Sequence, residues 1–148
     1  MRSGSSGSRE AEAVVDARLL ARRYRDYIAC LNARDWDALG RFVDAAVEHN
    51  GRALGLAGYR RMLEQDVAAI PDLQYAVELL VAELPRLAAR LDFHCTPRGR
   101  FLGLDAGGRR IRFAEHAFYE FAGERIARVW SVIDKASIEA QLEPGAGR

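Results

Sequence analysis

The stretch spanning residues 110–134, RIRFAEHAFYEFAGERIARVWSVID, decides the fold. Aromatic and β-branched residues recur through it between charged ones, and Ala122-Gly123-Glu124 interrupts it once. It reads as two long strands, residues 110–121 and 126–134, folded back on each other at a glycine turn. Moving toward the N-terminus, residues 87–96 and 73–83 have the same character. Leu84-Pro85-Arg86 and Asp105-Ala106-Gly107-Gly108 supply turn chemistry at the breaks. Ahead of Pro71-Asp72 the period changes from two to between three and four. Residues 10–33 carry one apolar stripe, Val14, Ala17, Leu20, Ala21, Tyr24, Tyr27, Ile28 and Leu31, which predicts a long helix. Asp35 can cap a short second helix bearing Trp36, Leu39, Phe42 and Val43. Residues 43–50 form a short strand, and Gly51 and Gly55 mark a loop. A third helix follows, with Tyr59, Met62, Leu63, Val67 and Ile70 on its buried face. A last amphipathic segment covers residues 136–142. Helices first and antiparallel strands later is the α+β order. Three N-terminal helices packed on a strongly bent, mainly antiparallel sheet of about six strands make a cone-shaped barrel, closed at one end and open at the other. That shape suits a small-molecule pocket.

Length and charge narrow the function classes. The chain has 148 residues, room for one domain. We place a tail at residues 1–8, a single domain at 9–142 and a flexible C-terminal tail at 143–148. Twenty-two Lys+Arg against 21 Asp+Glu leave a formal net charge of +1, without the basic excess expected of a nucleic-acid or membrane-surface binder. Apolar runs are too short and too charged to span a bilayer, and the first residues lack the apolar core of a secretory signal. Cys30 and Cys95 read as small buried hydrophobes in a reducing cytoplasm, with nothing to argue for pairing them. Two distant cysteines and three scattered histidines do not make a zinc site. Gly103-Leu104-Asp105-Ala106-Gly107-Gly108 is a hairpin turn rather than a phosphate loop, and no Gly-x-Ser-x-Gly nucleophile motif is present.

Strand parity selects candidate site residues, because alternate side chains share a face. Over residues 87–96 one face carries Arg90, Asp92, His94 and Thr96, and the other Leu87, Ala89, Leu91, Phe93 and Cys95. The polar face either meets solvent or lines a pocket. Over residues 110–121, Phe113, Glu115, Ala117 and Tyr119 share one side, with Arg112, Ala114, His116 and Phe118 on the other. A carboxyl group among aromatics has a raised pKa that suits acid–base work, whereas an Arg90–Glu115 ion pair would be structural. The imidazole side chain is the natural proton shuttle at neutral pH, which makes His94 a candidate, and Asp92, two residues away, could orient it. Asp134 can cap the terminal helix.

A family resemblance rests on Asn32-Ala33-Arg34-Asp35-Trp36, His49-Asn50-Gly51, Ile70-Pro71-Asp72-Leu73, Gly99-Arg100-Phe101-Leu102-Gly103, and the runs at 118–126 and 129–134. In order and spacing, over residues 13–142, the chain resembles the SnoaL-like polyketide cyclases of the nuclear-transport-factor-2-like superfamily. The resemblance implies a cone-shaped barrel with a deep apolar pocket, a homodimer formed through the sheet, and ring closure of a polyketide ester with no metal or organic cofactor. It turns the Arg90 side of its strand and the Glu115 side of the next toward the cavity. Glu115 aligns with an active-site glutamine of the cyclases, and Asn50 with an asparagine. The cyclases' acid–base aspartate follows the position that is Trp130 here. This chain has Ser131 instead, and Ala117 stands at the place of an assisting histidine. With these departures the expected ring closure is either aldol-type or epoxide-opening, the missing aspartate tilting the balance slightly away from the former.

The resulting expectation is a cytoplasmic, cofactor-independent cyclase or isomerase acting on a polyketide-type or related natural-product intermediate. His94, Glu115 and Asp92 would be catalytic. Arg90, His49, Asn50, Tyr24, Tyr59, Phe113, Tyr119, Trp130 and Ser131 would contact substrate, with Tyr27 helping to close the cavity. The alternatives are a small-molecule-binding or oxygenase-accessory protein and an epoxide hydrolase.

Overall fold

The computed structural model describes residues 5–145, with side chains from residue 16 onward. Helix α1 runs over Ser5–Ala33 and is longer than its apolar stripe, so residues 5–8, expected in the tail, are helical. Residues 1–4 and 146–148 lie outside the described residues, as does the side chain of Val14. The expected second helix is a single 3-10 segment, Trp36–Arg41, leaving two N-terminal α-helices rather than three. Asp35 makes no side-chain cap there. With little but Leu39 buried, so short a piece has no stripe to extend.

Strands β1 (Val43–His49) and β2 (Arg52–Ala53) form a hairpin, followed by α2 (Gly55–Ala69). The turn between β1 and β2 is Asn50-Gly51, with φ of 48° and 79°. A left-handed pair of this kind matches strand twist and favours Asn-Gly. Then come β3 (Ala76–Glu83), β4 (Arg86–Cys95), β5 (Arg100–Phe101), β6 (Leu104–Asp105), β7 (Ile111–Ala122), β8 (Arg125–Ile133) and α3 (Lys135–Leu142). The main sheet has six strands in the order β2-β1-β8-β7-β4-β3, antiparallel except for β1 beside β8. β5 and β6 form a separate small hairpin. Register shifts interrupt β1–β8, β3–β4 and β7–β8. Such bulges bend strands, and here they curl the sheet around α1. Tyr24 of α1 donates its hydroxyl to Tyr119 of β7 inside the curl, at 3.1 Å.

The core occupies that concave side. Leu20, Tyr24, Tyr27, Ile28 and Leu31 of α1 meet Leu87, Leu91 and Phe93 of β4 and Phe113, Ala117 and Tyr119 of β7. The pairing Leu91↔Glu115 and Arg90↔His116 fixes both strands at once, since directly paired residues share a face. Turning Glu115 inward therefore turns Leu91 inward and Arg90 outward. The expected orientation of β4 is inverted: its apolar face is inside and its polar face outside. Burial of Leu87, Ala89, Leu91, Phe93 and Cys95 outweighs any gain from a polar lining there. Both cysteines are buried free thiols. No described helix is long and apolar enough to cross a membrane.

Candidate active site

The open end of the curl contains a cavity of about 410 Å³. Ile28, Leu31, Leu63, Leu91, Val129 and Ile133 supply apolar wall, with Leu102 from the tip of the β5–β6 hairpin. Polar groups come from several elements: Tyr27 of α1, Tyr59 and Asp66 of α2, His49 of β1, Glu115 and Tyr119 of β7, and Ser131 of β8. Asn50, Met62, Tyr75 and Lys135 complete the lining.

Glu115 sits mid-strand between Leu91 and Ile133. Its carboxyl group makes no hydrogen bond or ion pair with any described residue. Burial, and secondarily the nearby Asp66 carboxylate, push its pKa up to about 7. Asp66 likewise has no side-chain partner among the described residues, and desolvation raises it to about 6. Asp66 is exposed by surface area, yet it opens into the concavity, where the surrounding protein limits its hydration.

The tyrosines form two buried pairs. Tyr27 and Tyr59 hydroxyls lie 2.7 Å apart, and Tyr24 donates to Tyr119. Burial raises all four phenols above their ordinary pKa, so they are neutral donors and acceptors at physiological pH. At the other rim, His49 Nε2 lies 3.2 Å from Ser131 Oγ. Its position opposite Val129, an inward residue, turns it to the cavity. Burial, then the Arg52 charge, lower its pKa, which leaves the imidazole neutral. Asn50 clamps the Ser131 backbone, accepting its N–H at 2.9 Å and donating to its carbonyl at 3.2 Å.

Of the expected site residues, Glu115, His49, Asn50, Tyr27, Tyr59, Tyr119 and Ser131 meet at this cavity. His94, Asp92 and Arg90 do not, for the parity reason given above. Asp92 accepts both arms of Arg112, at 3.1 and 2.9 Å, and Arg90 binds Glu78 at 3.0 Å and also His116. Arg90 therefore forms no pair with Glu115. His94 is exposed. Trp130 pairs with Phe118 on the outer face, Tyr24 lies behind Tyr119, and Phe113 is core, stacked on Phe93 at 5.2 Å. Asp134 caps α3 by accepting the Ser137 N–H at 3.2 Å.

Asp66, Tyr75, Met62 and Lys135 were missed as lining residues. Asp66 had a readable signal: it lies seven residues after Tyr59 and three after Leu63, on the apolar stripe of α2. No group of three or more His, Cys, Asp or Glu among the described residues is placed to hold a metal ion.

No curated protein matches the chain. Among solved structures, a SnoaL-like polyketide cyclase of Agrobacterium tumefaciens is 53% identical, with a TM-score of 0.83 over 84% of this chain and 98% of that one. TsrD of Streptomyces laurentii, at 24% identity, shares the fold with a TM-score of 0.74 over 87% and 96% of the two chains. IdmH of Streptomyces antibioticus shares it at 18% identity and a TM-score of 0.72, over 83% and 97%. The family model for SnoaL-like polyketide cyclases matches residues 21–142, which take in α1 from its second half, the sheet and every cavity residue named above. The chain thus belongs to the SnoaL-like polyketide cyclase family.

Proposed function

We propose that the protein is a cofactor-independent cyclase or isomerase that transfers protons within a polyketide-type or related natural-product intermediate. The observation that carries this reading is Glu115, a carboxyl group without a partner among the described residues, facing a cavity walled mainly by apolar and phenolic groups. Its pKa of about 7 matches the range in which one group both gives and takes protons at neutral pH. The walls would hold a flexible substrate folded for reaction, which itself removes part of the barrier. Catalysis is assigned to Glu115, without His94 or Asp92. Substrate contact is assigned to His49, Asn50, Tyr59, Tyr119 and Ser131.

The test is incubation with polyketide-type keto esters, followed by mass spectrometry. A product of unchanged mass, or one that has lost water by ring closure, with turnover reduced about a hundredfold in Glu115→Gln, is the expected result. Return of unaltered ligand would identify a binding protein, and gain of one water from an epoxide would identify a hydrolase.

The reading includes a homodimer formed through the outer sheet face. Val81, Ala88, Phe118 and Trp130 form one continuous cross-strand row there. Phe118 is 57% exposed, and Val132 beside it 71%. A charged row flanks this apolar one, with Arg86–Glu120 and Arg128–Glu120 pairs at 3.3 and 3.7 Å. An apolar centre with a charged rim is the usual pattern of a protein interface.

A further inference from the structure

Two carboxyl groups, not one, face the cavity without partners. Glu115 enters from the centre of β7, and Asp66 from the cavity face of α2. Glu115 is largely enclosed while Asp66 is exposed at the cavity mouth, and neither carboxyl is paired with an arginine among the described residues. The charged and titratable groups facing them are Tyr27 of α1, Tyr59 of α2, Tyr75 ahead of β3, Tyr119 of β7, His49 of β1 and Lys135 of α3. The tyrosines are neutral, His49 is driven toward neutrality, and Lys135 lies 3.9 Å from Glu139.

We propose that Asp66 and Glu115 act as one acid–base pair on a neutral, mainly apolar ketone, Asp66 removing the proton beside the carbonyl while Glu115 protonates the carbonyl oxygen. This assignment rests on the acid–base reading above. The more accessible Asp66 ionises first, and its charge holds the proton on Glu115, so between about pH 6 and 7 the pair carries one proton. In the forward step, the C–H electron pair becomes the C=C bond of an enol, and the carbonyl π pair takes the Glu115 proton. Asp66 is then the acid and Glu115 the base. Attack of the enol carbon on a second carbonyl of the same substrate forms the new C–C bond. The second oxygen takes the Asp66 proton, and the enol O–H proton returns to Glu115. Both carboxyls are restored and no atom is gained or lost. An anionic substrate would be repelled by Asp66, and the apolar walls favour a neutral one.

The test uses 2-tetralone, a bicyclic apolar ketone, in deuterated buffer. Proton NMR follows loss of the signal beside its carbonyl, and saturation-transfer NMR follows binding. The native protein is expected to accelerate exchange, most strongly near pH 6 to 7. Asp66→Asn and Glu115→Gln are each expected to lower the exchange rate about a hundredfold while still binding the ketone. A carbon-13 carboxyl titration is expected to show the Glu115 midpoint falling in Asp66→Asn. Native-rate exchange by Asp66→Asn, with Glu115→Gln inert, would remove Asp66 from the chemistry and leave the acid–base reading standing. Failure of the native protein to exchange a bound ketone would overturn both, and failure of the ketone to bind would overturn the substrate class and the proposal with it.

Discussion

The two faces of the central sheet carry similar residue types in opposite roles. On the concave face, Leu91 and Phe93 of β4 are almost inaccessible, and the one acid, Glu115, has no partner. On the outer face, Phe118 and Val132 are exposed, while Asp92 pairs with Arg112, Glu78 with Arg90, and Glu120 with Arg86 and Arg128. Charge is compensated where water already screens it and left uncompensated where water is scarce. A fold optimised only for stability would arrange the reverse, since exposed ion pairs contribute little and buried lone carboxyls cost much. Under the proposed function, the uncompensated acid marks the working face.

The largest effect expected from this contrast is on stability. Phe93→Ala should cost about 3–5 kcal/mol, the usual loss for a buried aromatic ring, read from denaturant unfolding. Phe118→Ala in a monomer should stay within about 0.5 kcal/mol, as surface changes do. A larger, concentration-dependent loss at Phe118 would sharpen the contrast differently, by showing that a second copy covers the outer face.

Next comes turnover. Glu115→Gln should lower it about a hundredfold, whereas His94→Ala and Asp92→Asn on the outer face should change it less than about twofold. Loss of activity in His94→Ala with melting unchanged would break the division between working and structural faces.

A smaller effect links Glu115 to pH. Its folded pKa is raised from 4.5 to about 7, so its favourable contribution is complete below 4.5 and is lost as pH rises through 7. Asp66 acts in the same direction. At about 1.4 kcal/mol per pKa unit, discounted for water in the cavity, the cost at alkaline pH is on the order of 2 kcal/mol. Glu115→Gln should therefore gain stability relative to the native protein between acid and alkaline pH, as thermal melting at both ends would show. The smallest effect belongs to Asp134→Ala, which removes the α3 cap at about 1 kcal/mol and should leave the Glu115 chemistry intact.

Local pattern made much of the molecule legible. The stripe of α1 and the long strands β4, β7 and β8 follow from spacing of three, four or two, whereas the inward side of β7 was legible only through the family resemblance. Asp134 as a cap follows from its place just before a helical segment. The 3-10 segment was misread because six residues with one well-buried leucine cannot show which helical period wins. The β5–β6 hairpin is too short to carry a pattern, yet it brings Leu102 to the cavity.

The facing of β4 was the consequential error. Its alternation is plain in the sequence, but alternation divides a strand into two faces without saying which is inside. Fifteen intervening residues, 96–110, separate β4 from β7, so no tight turn fixes their register from sequence. Only the Leu91↔Glu115 pairing does so, and it sends His94, Asp92 and Arg90 outward together. Asp66 is the mirror case, an acid on an apolar stripe whose place beside the same cavity as Glu115 is hidden by their separation of 49 residues in sequence (115 − 66). By itself the sequence determined the α+β order, the long elements and which residues share a side, because those depend on near neighbours along the chain. Which side encloses the cavity, and which two carboxyls meet there, depended on contacts between distant segments, and the tertiary structure alone decided them.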